Sequence, residues 1–149
     1  MIRLERLHLI SRPDKLKLLR RFVRELAKKQ CCSDESQECL VMAINEACMN
    51  VMQHAYDDEK DKEIIIEFWK DKEELLIKIY DFANTVDIAL IKSRDLEDVK
   101  PGGLGVHIIN QVMDSVNYKN IPGEQGNVLE MRKNLNSSDA CGISEQYTK

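Results

Sequence analysis

The stretch "NEACMNVMQHAY", Asn45 to Tyr56, sets Glu46, Asn50 and His54 at four-residue intervals. On an α-helix turning about 100° per residue, the three share an arc of about 80°. Leu40, Ile44, Cys48, Val51, Met52 and Ala55 cluster broadly opposite. Any amphipathic helix has a polar side, so the spacing alone also fits a solvated face. The residue types allow more. Asn is a poor helix former, and a carboxylate one turn before a carboxamide sets a proton acceptor beside a neutral oxygen ligand. That pair suits general-base chemistry next to a hard cation such as Mg²⁺.

Asp81 closes the apolar run of "ELLIKIYDFANTVD". A carboxylate at a strand end in a water-poor pocket accepts a hydrogen bond from an exocyclic amine such as that of adenine. It equally serves as an ordinary turn residue. "KPGGLGVHIINQVMDSVNY", Lys100 to Tyr118, places Gly102, Gly103 and Gly105 where an apolar helix begins. Glycines permit close backbone approach, and a helix start binds anions through its free N–H groups and dipole. No Gly-Lys-Ser/Thr follows and the dinucleotide fingerprint is absent, so neither standard phosphate loop applies. A plain flexible linker is the alternative.

These residues need elements to position them. Alternation over 3–10 predicts an edge strand. "SRPDK" starts a helix running to about Gln30, and Ser33 or Asp34 caps a second one running to about Tyr56. "EIIIEFWK" and "ELLIKIYD" read as a hairpin. A long connection follows, with a short helix near Val86–Ile91, and helix three spans Leu104 to Met113. "DSVNYKNI" and "NVLEMRKNL" flank the turn "PGEQG". Runs of helices and strands predict an α+β sandwich, with helices on one face of a mixed, mostly antiparallel sheet. Residues 1–135 read as one domain and the polar residues 136–149 as a disordered tail.

The totals narrow the setting. The chain of 149 residues has no apolar run of spanning length, and its N-terminus is too charged for a secretory signal. Five cysteines without framework spacing predict reduced thiols in a reducing cytoplasm, and adjacent Cys31 and Cys32 lack the gap of a zinc knuckle. Residues 1–30 carry ten Lys and Arg against three acidic residues. Those cations interleave with the stripe Leu16, Leu19, Phe22, Val23 and Leu26, which fits a solvated helix face or an acidic protein partner better than DNA.

In this order and spacing, "NEACMNVMQHAY", "DFANTVD" and "GGLGVHIINQVMDSVNY" resemble the N box, adenine-binding aspartate box and glycine box of the GHKL ATPase/kinase superfamily. The match is closest to its small bacterial anti-sigma factor serine/threonine-protein kinases, and it covers about residues 5–135. The resemblance implies a two-layer Bergerat (HATPase) sandwich with ATP between helices two and three, under a lid at 91–103. It implies Glu46 as general base, Asn50 as ATP and Mg²⁺ ligand, and Asp81 as reader of adenine. It implies Gly102, Gly103, Leu104, Gly105 and Val106 as the phosphate cradle. The implied substrate is a STAS-domain anti-anti-sigma protein, and the competing partner is an RNA polymerase sigma factor held by a kinase homodimer. First strand and first helix usually form dimer and partner surfaces. The setting is the bacterial cytoplasm, with no membrane and no direct nucleic-acid contact.

Three places depart from the family pattern. Ala83 stands where the aspartate box normally has glycine, and its methyl predicts weaker ATP binding. Asn127 and Val128 stand where a threonine often supports the adenine contact. His107 occupies a usually apolar or aromatic helix position and reads as packing or surface. Ala83 motivates the alternative of a non-catalytic, weakly ATP-binding switch protein of the same fold, acting by sequestration. A sensor histidine kinase is not expected, because the single helix before helix two leaves no room for a helical dimerisation domain.

Overall fold

The computed structural model describes residues 1–84 and 104–135. The short helix expected near Val86–Ile91, the lid at 91–103 with Gly102 and Gly103, and the tail 136–149 lie outside the described residues.

Strand β1 (Ile2–Ile10) leads through a 3₁₀ turn at Pro13–Lys15 into helix α1 (Leu16–Lys29). Helix α2 (Asp34–Asn50) follows, then β2 (Glu63–Asp71), β3 (Glu74–Asp81), α3 (Leu104–Val112), β4 (Ser115–Asn120) and β5 (Asn127–Asn134). The sheet order is β1-β2-β3-β5-β4. Alternation decides the layering. Ile64, Ile66 and Phe68 on β2, Leu75, Ile77 and Ile79 on β3, and Leu129 and Met131 on β5 are buried against the helices. Glu67, Lys78 and Glu130 take the opposite face of those strands. Leu19, Val23, Leu40, Ile44 and Cys48 complete the core from above, and the rings of Phe22 and Phe68 lie 5.7 Å apart.

All four described pairings are antiparallel, where a mixed, mostly antiparallel sheet was expected. The cause is the last hairpin. β4 runs to the outer edge, the chain reverses at Ile121–Gly126, and β5 slots between β4 and β3. The strand that would have lain parallel to β3 is thereby kept from touching it. This insertion sets Asp81 directly opposite Asn127.

α2 starts as expected: Ser33 Oγ accepts from Ser36 N at 3.1 Å, with Asp34 and Glu35 in the favourable first turn. It ends differently. The α-helix stops at Asn50 and a π turn covers Val51–Ala55, closed by Tyr56 N donating to Val51 O at 3.0 Å. Such wide turns recur at functional sites.

The cysteine pair has a structural role. Cys31 takes φ +61, Cys31 N donates to Lys28 O at 3.0 Å, and Cys32 N donates to Ala27 O at 3.2 Å. Together they close α1 with a Schellman motif. Cys31, Cys32 and Cys48 are free thiols. Among the described residues no group of His, Cys, Asp and Glu is placed to hold a metal by itself. None of their helices is long and apolar enough to cross a membrane.

Candidate functional site

α2 is the middle helix of its layer, packed against α1 on one side and α3 on the other. Its α1 side is fixed by Arg24, which grips Glu38 at 2.6 and 3.1 Å, and by Arg20, which donates to Asn45 at 2.9 Å. Glu46 follows Asn45 by one residue, and so by about 100° around the helix. Asn50 lies one turn further on the same shoulder, turned away from α1. Both are half-buried. No hydrogen bond or ion pair among the described residues engages either side chain. Burial pushes the Glu46 carboxyl above its ordinary value. An unpaired carboxylate with raised proton affinity, one turn from an unpaired carboxamide, is equipped to take a proton beside a neutral oxygen ligand. The donor set therefore fits Mg²⁺ completed by phosphate oxygens and water.

His54 lies in the π turn and is exposed, unlike the half-buried Glu46 and Asn50. His107 is exposed on α3, so the surface reading holds.

The second part lies at the end of β3. Asp81 is 6% exposed. Its Oδ1 accepts from Asn127 Nδ2 at 3.0 Å and from Ala83 N at 3.1 Å. Burial raises its proton affinity, and those two donors oppose the rise. No hydrogen bond engages Oδ2 among the described residues, which leaves that oxygen to accept from a ligand amine. Asn127 thus supplies the support expected of a threonine, by a carboxamide instead of a hydroxyl. Ala83 has no positive φ, so its backbone does not require glycine, and its methyl packs partly on the core.

Neighbouring groups hold the turn after Asp81. Gln125 Nε2 donates to Phe82 O at 3.3 Å and to Asn84 Oδ1 at 3.2 Å, and Asn127 Nδ2 also reaches Asn84 O at 3.3 Å. Gly126, at φ +137, presses against this turn: an added Cβ would sit 2.5 Å from Asp81 O. The two parts are joined through Tyr56. It follows the π turn, and its hydroxyl accepts from Phe82 N at 2.7 Å.

Leu104, Gly105 and Val106 form the first turn of α3 in the described backbone. A helix start leaves N–H groups without intrahelical partners, as the phosphate reading of the segment needs. Gly102 and Gly103 fall outside the described residues. Tyr56, Gln125 and Gly126 were not singled out as site residues: "PGEQG" reads only as a turn, and Tyr56 reads as a helix end and the last residue of the N-box run.

The sequence matches the family model described as a histidine kinase-like ATPase domain over residues 9–133. It is 26% identical over 134 residues to the serine-protein kinase RsbW of Bacillus subtilis, covering 85% of this chain and 82% of that one. It is 31% identical over 124 residues to the RsbW of Halalkalibacterium halodurans, covering 75% and 74%. The fold is similar to a chain in the crystal structure of the SiaB–SiaC complex from Pseudomonas aeruginosa, with a TM-score of 0.60. Identity there is 10%, over 87% of this chain and 88% of that one.

Proposed function

Because the chain belongs to the histidine kinase-like ATPase domain family, we propose that it is an ATP-dependent protein serine kinase acting in partner switching. The observation that carries the reading is the unpaired, half-buried Glu46 with its raised proton affinity, one helical turn from the unpaired Asn50. Similarity to serine-protein kinases supports the same reading.

In this reading Asp81 accepts from the adenine amine through Oδ2, with Oδ1 held by Asn127 and Ala83. Gly102, Gly103, Leu104, Gly105 and Val106 bind phosphate oxygens through their backbone. Asn50 holds Mg²⁺, which neutralises phosphate charge when bound. Glu46 takes the proton from a seryl hydroxyl as the seryl oxygen bonds to the γ-phosphorus, the bond from that phosphorus to the bridging β,γ oxygen breaks, and ADP leaves. Phosphoryl transfer of this kind rests on positioning and charge neutralisation. The protein substrate is a STAS-domain anti-anti-sigma protein. The unphosphorylated partner competes with an RNA polymerase sigma factor for a homodimer of this chain, in the bacterial cytoplasm. A second reading, a non-catalytic switch protein of the same fold, rests on the methyl of Ala83 in the aspartate box.

Mass spectrometry separates the two. Purified protein is incubated with Mg²⁺-ATP and the STAS-domain protein encoded beside it. Phosphoserine on the partner is the expected result. An unmodified partner, together with no detectable nucleotide binding, defeats the kinase reading and favours the second.

A further inference from the structure

The β2–β3 ladder ends at an unusual rung. Its last pair is Ile64 with Asp81, so one more pair would set Glu63 opposite Phe82. The hydrogen-bonding directions are known. Lys62 O accepts from Ser11 N at 2.8 Å on the β1 side. Carbonyls alternate along a strand, so Glu63 O faces β3. Phe82 N would donate to it directly if the ladder continued.

It does not. The Tyr56 hydroxyl stands between the two groups, donating to Glu63 O at 2.5 Å and accepting from Phe82 N at 2.7 Å. Tyr56 is 6% exposed, with its ring in the core. The hydroxyl occupies the next rung much as an inserted water would, and both strand groups stay satisfied while the strands part. β3 therefore leaves β2 immediately after Asp81. The freed backbone is caught on the far side, with Phe82 O held by Gln125 and Asn84 O by Asn127. Ala83 N, set by this turn, then grips Asp81 Oδ1.

Resting on the nucleotide reading above, we propose that Tyr56 is a positioning residue for nucleotide binding: its hydroxyl ends the β2–β3 ladder at Asp81 and so aims the carboxylate at the base. The π turn at Val51–Ala55 belongs to the same device. It ties the run that carries Glu46 and Asn50 to the turn that carries Asp81.

The test is Tyr56→Phe, which keeps the ring and removes the wedge. Affinity for Mg²⁺-ATP and Mg²⁺-GTP is measured by calorimetry on the folded protein, alongside steady-state kinetics. The variant is expected to bind ATP about tenfold more weakly, the scale of a lost buried hydrogen bond. Its preference for ATP over GTP falls, and kcat/KM drops far more than kcat. A purely structural tyrosine lowers the melting temperature and leaves affinity and base preference unchanged; that outcome overturns the proposal. If the variant does not fold, amide exchange on the wild type decides. Phe82 N–H is expected to exchange as slowly as the ladder amides and to shift on addition of ADP. Free exchange at Phe82 overturns the wedge. A wild type that binds no adenine nucleotide overturns the nucleotide reading, and this one with it. A wild type and variant that bind equally overturn this one alone.

Discussion

Asn127 Nδ2 donates to Asp81 Oδ1 at 3.0 Å across the rung that pairs these two residues on β5 and β3. The bond spends one carboxylate oxygen inside the protein and leaves the other for a ligand. Asn127→Ala removes the donor that opposes the burial-driven rise in the proton affinity of Asp81. A proton on Oδ2 occupies the oxygen that would accept from the amine. Affinity for ATP therefore falls as pH drops through the Asp81 value, and in the variant the fall begins at higher pH. Binding at neutral pH should weaken about fivefold to tenfold, the scale of one charge-assisted bond. Calorimetric titrations from neutral pH down into the acid range check both effects. Superimposable profiles for wild type and variant contradict the assignment.

Glu46 predicts a pH dependence of rate. A general base works deprotonated, and burial raises its proton affinity. The kcat/KM for phosphoryl transfer should climb with pH through a value raised above that of an ordinary glutamate, then level off. The same shift bears on folding. The folded state holds this proton more tightly than the unfolded chain, so the group's contribution to stability declines as pH rises through that window. Glu46→Gln removes the cost of a half-buried charge. At neutral pH the variant should melt no lower than wild type while transferring no phosphate. A clearly lower melting temperature contradicts this.

Ala83→Gly should tighten ATP binding by removing the methyl from the aspartate box, while costing about 0.5–1 kcal/mol of stability in backbone entropy and lost core contact. Parallel calorimetry and urea denaturation separate the two effects. An unchanged dissociation constant dismisses the methyl as an obstacle.

Gly126→Ala should be far costlier. The residue sits at φ +137 with a carbonyl 2.5 Å from where its Cβ would lie. Backbone strain and overpacking together predict a loss of about 3 kcal/mol, read from urea denaturation, and weaker nucleotide binding through displacement of Asp81. A loss near zero contradicts the close approach.

Much of this architecture is legible in sequence because it is periodic. Every described strand and helix was expected within a few residues, since alternation and the helical repeat are local signals. Glu46, Asn50 and Asp81 were singled out in sequence by type and spacing. The misses are non-local. The antiparallel sheet depends on β5 slipping between β3 and β4, which neither strand's own pattern encodes. The π turn depends on where Tyr56 must reach, over the strand ends at Glu63 and Phe82. Asn127 reads as a departure from a family pattern until its register opposite Asp81 shows what it does. Gly126 reads as a turn glycine until Asp81 O is found against it.

The most direct test follows phosphate from ATP to the seryl hydroxyl of the STAS-domain partner, in wild type and Glu46→Ala side by side, with ATP binding measured in the same samples. The expected result is transfer by wild type and none by the variant, at equal ATP affinity. Transfer by Glu46→Ala at the wild-type rate would contradict the role of Glu46 as base.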